Sequence, residues 1–226
     1  MPMTNYAHIT PKELFALPET TAYIDAGNDC LGALGFTEHG RAHAKRCGDQ
    51  AGDILRALGM PERTCELAQM AGYLHDIGNI VNRVDHAHSG GIMAFTYLNR
   101  LNMPPEEIAA VCSAIGYHDE RTAFPVNPVS AALILADKSD VRRTRVRKDA
   151  IIATDIHDRV NFAAESSTLR IKPEKKTCVL DVTINTEICP VMEYFEIFLD
   201  RMVLCRKAAE HLGLTFELII NDTKLL

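Results

Sequence analysis

No stretch of this 226-residue chain approaches the roughly 18–20 apolar residues that a helix needs to cross a bilayer, so no membrane partner is expected. The start, MPMTNYAHIT, has no basic segment followed by an apolar one, so no secretory leader is predicted. Positive charge is not in excess: 24 Lys and Arg stand against 30 Asp and Glu, a net charge of −6. A duplex nucleic-acid binder needs a broad basic footprint, so that class is excluded. A small phosphorylated partner is not excluded, because a local metal or arginine cluster can reverse the local field. The seven cysteines are odd in number and form no CxxC pair. That argues against a disulfide framework or zinc knuckle, and for reduced thiols in a cytoplasmic protein. Neither repeats nor low-complexity segments occur, and the length suits one medium domain with, at most, a small appendage.

What is present is helical periodicity as far as about residue 165. Pro11 opens a short helix and residues 18–34 form a second. Residues 37–59 carry an apolar stripe through Ala44, Cys47, Ala51, Ile54, Leu55 and Leu58 behind a threonine N-cap signal. Residues 61–78 follow, with Pro61 in the first turn and Gly78 as a stop. Further helices are predicted over 89–101, 104–118 and 127–143. After residue 166 the period becomes two: Leu169 and Ile171, then Cys178, Leu180, Val182 and Ile184, with Pro173–Lys176 as the turn. An amphipathic helix over about 188–212 and a strand over 214–220 complete the pattern. The expectation is a mainly α protein, with a helical bundle over 1–165 and a small α+β appendage of β-β-α-β order over 166–226. That appendage is expected to be a small antiparallel sheet plus helix. Its two edge strands would stand exposed, which suggests a homo-oligomer formed through it. Its surface carries no obvious chemistry.

Four polar residues interrupt apolar helical stretches. His43 falls in the buried stripe beside Ala44, and Asp137 follows the apolar run of LILADKSD. His75 and Asp76 end the run through Leu67, Met70, Ala71 and Leu74. An unpaired buried carboxylate is expensive, and these four would satisfy one another around a divalent cation. In the contexts HAKRCGDQA, HDIGN and LADKSD, in order over residues 37–143, the chain resembles the HD superfamily of metal-dependent phosphohydrolases. That family's pattern is a histidine, an HD pair and a distant aspartate, all on helices of one bundle. The resemblance implies that His43, His75, Asp76 and Asp137 hold one ion. HAHSG puts His86 four residues before Gly90, and AIGYHDE supplies His118, as in two-metal members. A second ion held by His86 and His118, with Asp76 bridging, is therefore implied, His88 being the alternative to His86. The motif context is most similar to the dinucleoside-tetraphosphate hydrolases of the superfamily. HDERTAFPVN lacks the doubled histidine and GYP segment of its cyclic-di-GMP phosphodiesterases, so that substrate is not predicted.

The implied activity is hydrolysis of a phosphate ester or anhydride, in a nucleotide, with His75 and Asp76 as catalytic residues. Mixed imidazole and carboxylate donors suit iron, manganese or zinc better than calcium. Two such ions activate a shared water and grip both the attacking and leaving oxygens. Many HDIG proteins have lysine after the glycine, where this chain has Asn79, so Arg46, Arg83 and Lys138 are candidates for the missing phosphate-binding charge. RRTRVRK (142–148) adds Arg142 and Arg143, either as a phosphate-gripping arm or as a solvated face. His39 reads as a surface or supporting histidine. Asp119 reads as a loop carboxylate or a neighbour of the second ion. A further His-Asp pair, His157–Asp158, falls outside the family order and reads as a non-ligand that could face substrate. Two rival functions share the scaffold: a di-iron oxygenase, and a metal- and nucleotide-binding sensor without turnover.

Overall fold

Capping residues and prolines start the helices. The computed structural model describes residues 6–147 and 155–226. Thr10 Oγ1 accepts from the Glu13 N–H while the Glu13 carboxylate accepts from the Thr10 N–H, a capping box that opens α1 (Pro11–Ala16). Then come α2 (Pro18–Ala33), α3 (Arg41–Ala57), α4 (Glu62–Leu74), α5 (His86–Arg100), α6 (Pro105–Gly116) and α7 (Pro128–Lys138). A second capping box, between Asn127 and Ser130, opens α7. The threonine cap predicted for α3 is not used. The helix starts at Arg41 behind Gly40, because the preceding residues turn: the His39 N–H donates to Asn28 Oδ1 and the Gly40 N–H to Glu38 Oε1.

Gly78 is not a helix stop. α4 ends at Leu74, and the chain continues through a 3-10 turn at Ile77–Ile80. Gly78 provides room instead: a Cβ there would lie 2.0 Å from His86 O and 2.5 Å from Gly90 N. The first turns of α5 therefore rest directly on the HDIG segment. A similar approach joins α3 and α4, where a Cβ on Gly72 would lie 2.4 Å from Gly48 Cα. Backbone contact at these two places brings His43, His75 and His86 to one point in the bundle.

The helix α8 (Ile156–Ala163), capped by the Asp155 side chain, leads into β1 (Ala164–Lys172). β2 (Thr177–Ile184), α9 (Val191–His211), β3 (Thr215–Ile220) and a two-residue β4 (Thr223–Lys224) follow. The β-β-α-β order is present. The expectation of an antiparallel sheet is corrected: β1 and β2 form an antiparallel hairpin, but β3 runs parallel to β2. The crossover helix α9 is the reason, since it carries the chain back to the end where β2 began. α9 buries Tyr194, Phe198, Met202, Cys205 and Ala209 and packs on α7 and the sheet. One continuous set of buried side chains runs from Leu14 through Leu135 to Ile220.

The edge of β1, one of the two on which self-association was expected, is partly covered. Arg46 donates to Ser167 O and Gln50 to Leu169 O, so long polar side chains of α3 satisfy the carbonyls that a further strand would use. No helix among the described residues is long and apolar enough to cross a membrane.

Candidate metal centre

Three histidines are oriented by the same local device. His75 Nδ1 donates to Gly72 O at 2.8 Å, His86 Nδ1 to Arg83 O at 3.0 Å and His118 Nδ1 to Ile115 O at 2.6 Å, each three residues back. His43 Nδ1, on α3, donates instead to Asp140 Oδ2 at 2.7 Å. A carbonyl or carboxylate oxygen only accepts, so all four Nδ1 atoms carry protons and all four Nε2 atoms turn inward.

The Nε2 atoms meet in two pairs. His43 and His75 are 3.3 Å apart, and His86 and His118 are 3.2 Å apart. Asp76 lies between the pairs. Its Oδ2 is 3.2 Å from His75 Nε2 and 3.6 Å from His43 Nε2. Its Oδ1 is 3.6 Å from His86 Nε2 and 3.9 Å from His118 Nε2. Asp137 Oδ1 joins the first pair, 3.4 Å from His43 Nε2 and 3.7 Å from His75 Nε2. Two donor sets therefore share one carboxylate. His43, His75, His86 and His118 are almost wholly shielded from solvent, and Asp137 is buried with them.

Protonation follows from burial and charge. Burial lowers the His75 pKa, but Asp76 and Asp137 outweigh it and hold the group up at about 9. Burial raises Asp76, and the attraction of His75 more than reverses this, keeping the carboxyl well below the usual range. Asp137 is likewise held low, against burial, by Lys138, whose Nζ is 2.6 Å from Asp137 Oδ2, and by the histidines. Burial also favours neutral Asp140, yet His43, Arg145 and Arg142 keep it ionised. His86 and His118 are pushed down, chiefly by burial. Both are neutral, so two bare Nε2 lone pairs face each other.

That arrangement fits a cation. Opposed lone pairs at 3.2 Å repel, and the buried Asp76 Oδ2 has no hydrogen-bond partner. A divalent ion would satisfy both, and nitrogen with carboxylate oxygen is a donor set of the transition-metal kind. Two overlapping groups have spacing suited to an ion: His43, Cys47, His75 and Asp137, and His75, Asp76 and His118. Cys47 Sγ lies 3.5 and 3.6 Å from the two ring nitrogens of His43.

The cluster floors a cavity of about 640 Å³. Arg83 and Lys138 line it; Arg46, Arg142 and Arg143 do not. The buried charge of Asp140 draws Arg46 Nε to 3.0 Å and Arg142 Nε to 2.8 Å, while Arg143 donates to Phe162 O and stacks on its ring. Lys148, the last residue of the basic segment, lies outside the described residues. His86 faces the cluster, whereas His88 is 56% exposed and pairs with Asp85. His39 lines the cavity with Nδ1 on Thr37 O, and Asp119 also lines it. His157 and Asp158 line the same cavity, and neither belongs to the groups with spacing suited to an ion.

Two supporting residues escaped sequence reasoning. Asp140 orients His43. Asn79 donates to Asp76 Oδ1 at 2.9 Å, so the residue found in place of lysine positions the shared carboxylate. Their only sequence signal is a polar residue three positions after a ligand.

Comparison with known proteins agrees with this geometry. The family model described as the HD domain matches residues 41–145. The chain is 28% identical over 138 residues, 52% of its length, to uncharacterized protein MJ1020 of Methanocaldococcus jannaschii. The match covers 53% of that protein, so the chain spans about half the length of the curated relative. All six converging histidines and aspartates lie inside residues 41–145, the segment that matches the HD domain family.

Proposed function

We propose that the protein is a metal-dependent phosphohydrolase that cleaves a phosphate ester or anhydride of a nucleotide. The observation that carries the reading is Asp76, ionised between two imidazole pairs on the floor of a cavity large enough for a small ligand. In this reading His43, His75, Asp76 and Asp137 hold one divalent ion, and His86 and His118, with Asp76 shared, hold a second. Such ions supply Lewis acidity to phosphoryl oxygens and lower the pKa of a water.

The chain's own residues do the rest. Asp140 and three backbone carbonyls fix the imidazole tautomers, which keeps every Nε2 available as a donor atom. Lys138, 6% exposed, keeps Asp137 ionised and brings positive charge to the cavity wall beside it. Arg83 reaches from the other side, with a terminal nitrogen 3.3 Å from His86 Nε2, where it can grip a phosphate oxygen. Its guanidinium also lies 5.4 Å over the Phe36 ring, and the exposed Leu34 and Val84 flank the same opening. A planar, apolar and cationic ledge of this kind suits a nucleobase, which supports a nucleotide over a sugar phosphate.

The test is phosphate release from mononucleotides, dinucleoside polyphosphates and cyclic dinucleotides, with manganese, iron, cobalt or zinc supplied. Metal-dependent release from at least one substrate, lost in His75→Ala, is expected. Stoichiometric metal binding with no release from any of them overturns the hydrolase reading in favour of a sensor. Turnover that requires dioxygen overturns it in favour of an oxygenase.

A further inference from the structure

Nothing in the residue pattern of α9 marks it as functional, yet one turn of this helix faces the same cavity as the metal-ligand cluster. Phe198 and Arg201, three residues apart on α9, both line that cavity. Phe198 is locked in the core, and the Arg201 guanidinium is stacked 4.4 Å above its ring. Arg201 Nε lies 2.5 Å from Glu120 Oε1. The same oxygen is 3.6 Å from Lys138 Nζ, whose other partner is Asp137 at 2.6 Å. Two cations from distant parts of the chain thus converge on one carboxylate at the edge of the ligand cluster.

The pairing leaves most of the guanidinium unused. Arg201 is held by its close ion pair with Glu120 and by stacking on Phe198, and its Nε meets Glu120 without regular hydrogen-bond geometry. Arginine carries five donors in a rigid planar fork that matches the oxygens of a phosphate. Stacking on a fixed ring aims that fork in advance, and packing of α9 on α7 keeps it beside Lys138.

We infer that Arg201 and Lys138 form an anion subsite for a phosphate group of the substrate, and that Glu120 occupies it until that group arrives. The identity of the anion rests on the phosphohydrolase reading; the subsite itself does not. α9 is then part of the binding wall rather than an appendage. The competing account is a clip: Arg201 and Glu120 merely fasten α9 to the segment after α6.

The two accounts predict opposite effects of removing Glu120. Binding of inorganic phosphate to the full-length, manganese-loaded protein is measured by calorimetry, with bound metal and Tm recorded for every variant. Arg201→Gln is expected to weaken phosphate binding by about tenfold or more, with metal content unchanged. Arg201→Lys is expected to restore part of the loss, which reports on charge and controls for folding. Glu120→Gln is expected to tighten phosphate binding, roughly threefold, because both cations are released. Weaker or unchanged binding in Glu120→Gln, or unchanged binding in Arg201→Gln, overturns the inference. So does a wild-type protein that takes up no phosphate at millimolar concentration. Phosphate binding that responds to Arg201 in a protein without turnover would retain the subsite while the hydrolase reading falls.

Discussion

His-Asp occurs three times in the chain, at 75–76, 118–119 and 157–158, and the surroundings differ. His75 follows the last turn of α4, where the Gly72 carbonyl is unpaired by the helix and accepts from Nδ1. His118 follows α6 and uses Ile115 O in the same way. A helix C-terminus thus protonates one ring nitrogen and turns the other into the bundle. His157 and Asp158 lie in the first turn of α8, where free N–H groups replace free carbonyls. There Asp155 Oδ1 accepts from both backbone N–H groups, and the His157 side chain stays 60% exposed. The same dipeptide turns its histidine toward the cluster after a helix, whereas at the start of one the histidine stays exposed and the aspartate is buried in the cavity wall.

The contrast is broken most directly by His75→Ala. Bound metal, measured by elemental analysis, is expected to fall to background, and phosphate release with it; wild-type metal content in this variant removes the distinction. The next effect is pH dependence. His75 in the metal-free fold is raised to about 9 from an ordinary value near 6.5. The stability this pairing contributes is therefore fully present below about 6.5 and is lost as pH rises through about 9. A divalent ion competes with the same proton, so metal affinity is expected to rise across that window, by up to about tenfold per unit. Affinity that is flat over this range in a pH series of chelator competitions contradicts it.

Asp140→Asn tests the support behind His43. Losing the ionised acceptor of His43 Nδ1–H is expected to weaken metal binding by about 10–100-fold, read by the same competition assay. Gly78→Ala adds a Cβ 2.0 Å from His86 O and is expected to cost about 1–3 kcal/mol in denaturant unfolding. The smallest effect belongs to His157→Ala, for which metal content is expected to stay at the wild-type level.

Four of the candidate ligands were legible because each is a polar intruder in an apolar run, whereas His86 and His118 were legible only through the family resemblance. His43 breaks the stripe of α3, and Asp137 closes the buried α7. The choice of His86 over His88 rests on the four-residue step to Gly90, and the structure supplies its physical reason. α5 begins at His86 and aims it inward, while His88 is about 200° round the helix and faces solvent. Arg46 and Arg142 read equally well as phosphate ligands, but a buried carboxylate nearby attracts them more strongly than an open cavity does. Asp140 itself looks like any charge after a helix, since its four partners come from separate points of the chain.

Residue order alone determined the helical bundle, the β-β-α-β tail and the candidates His43, His75, Asp76 and Asp137, because hydrophobic period and the polar residues that interrupt it are local properties of the chain. Tertiary packing alone decided which cations face the cavity, why Gly78 and Gly72 carry no side chain, and that Arg201 on α9 reaches Glu120. A charged residue on a helix surface has no periodic signature, and its partner is chosen only when α6, α7 and α9 come together.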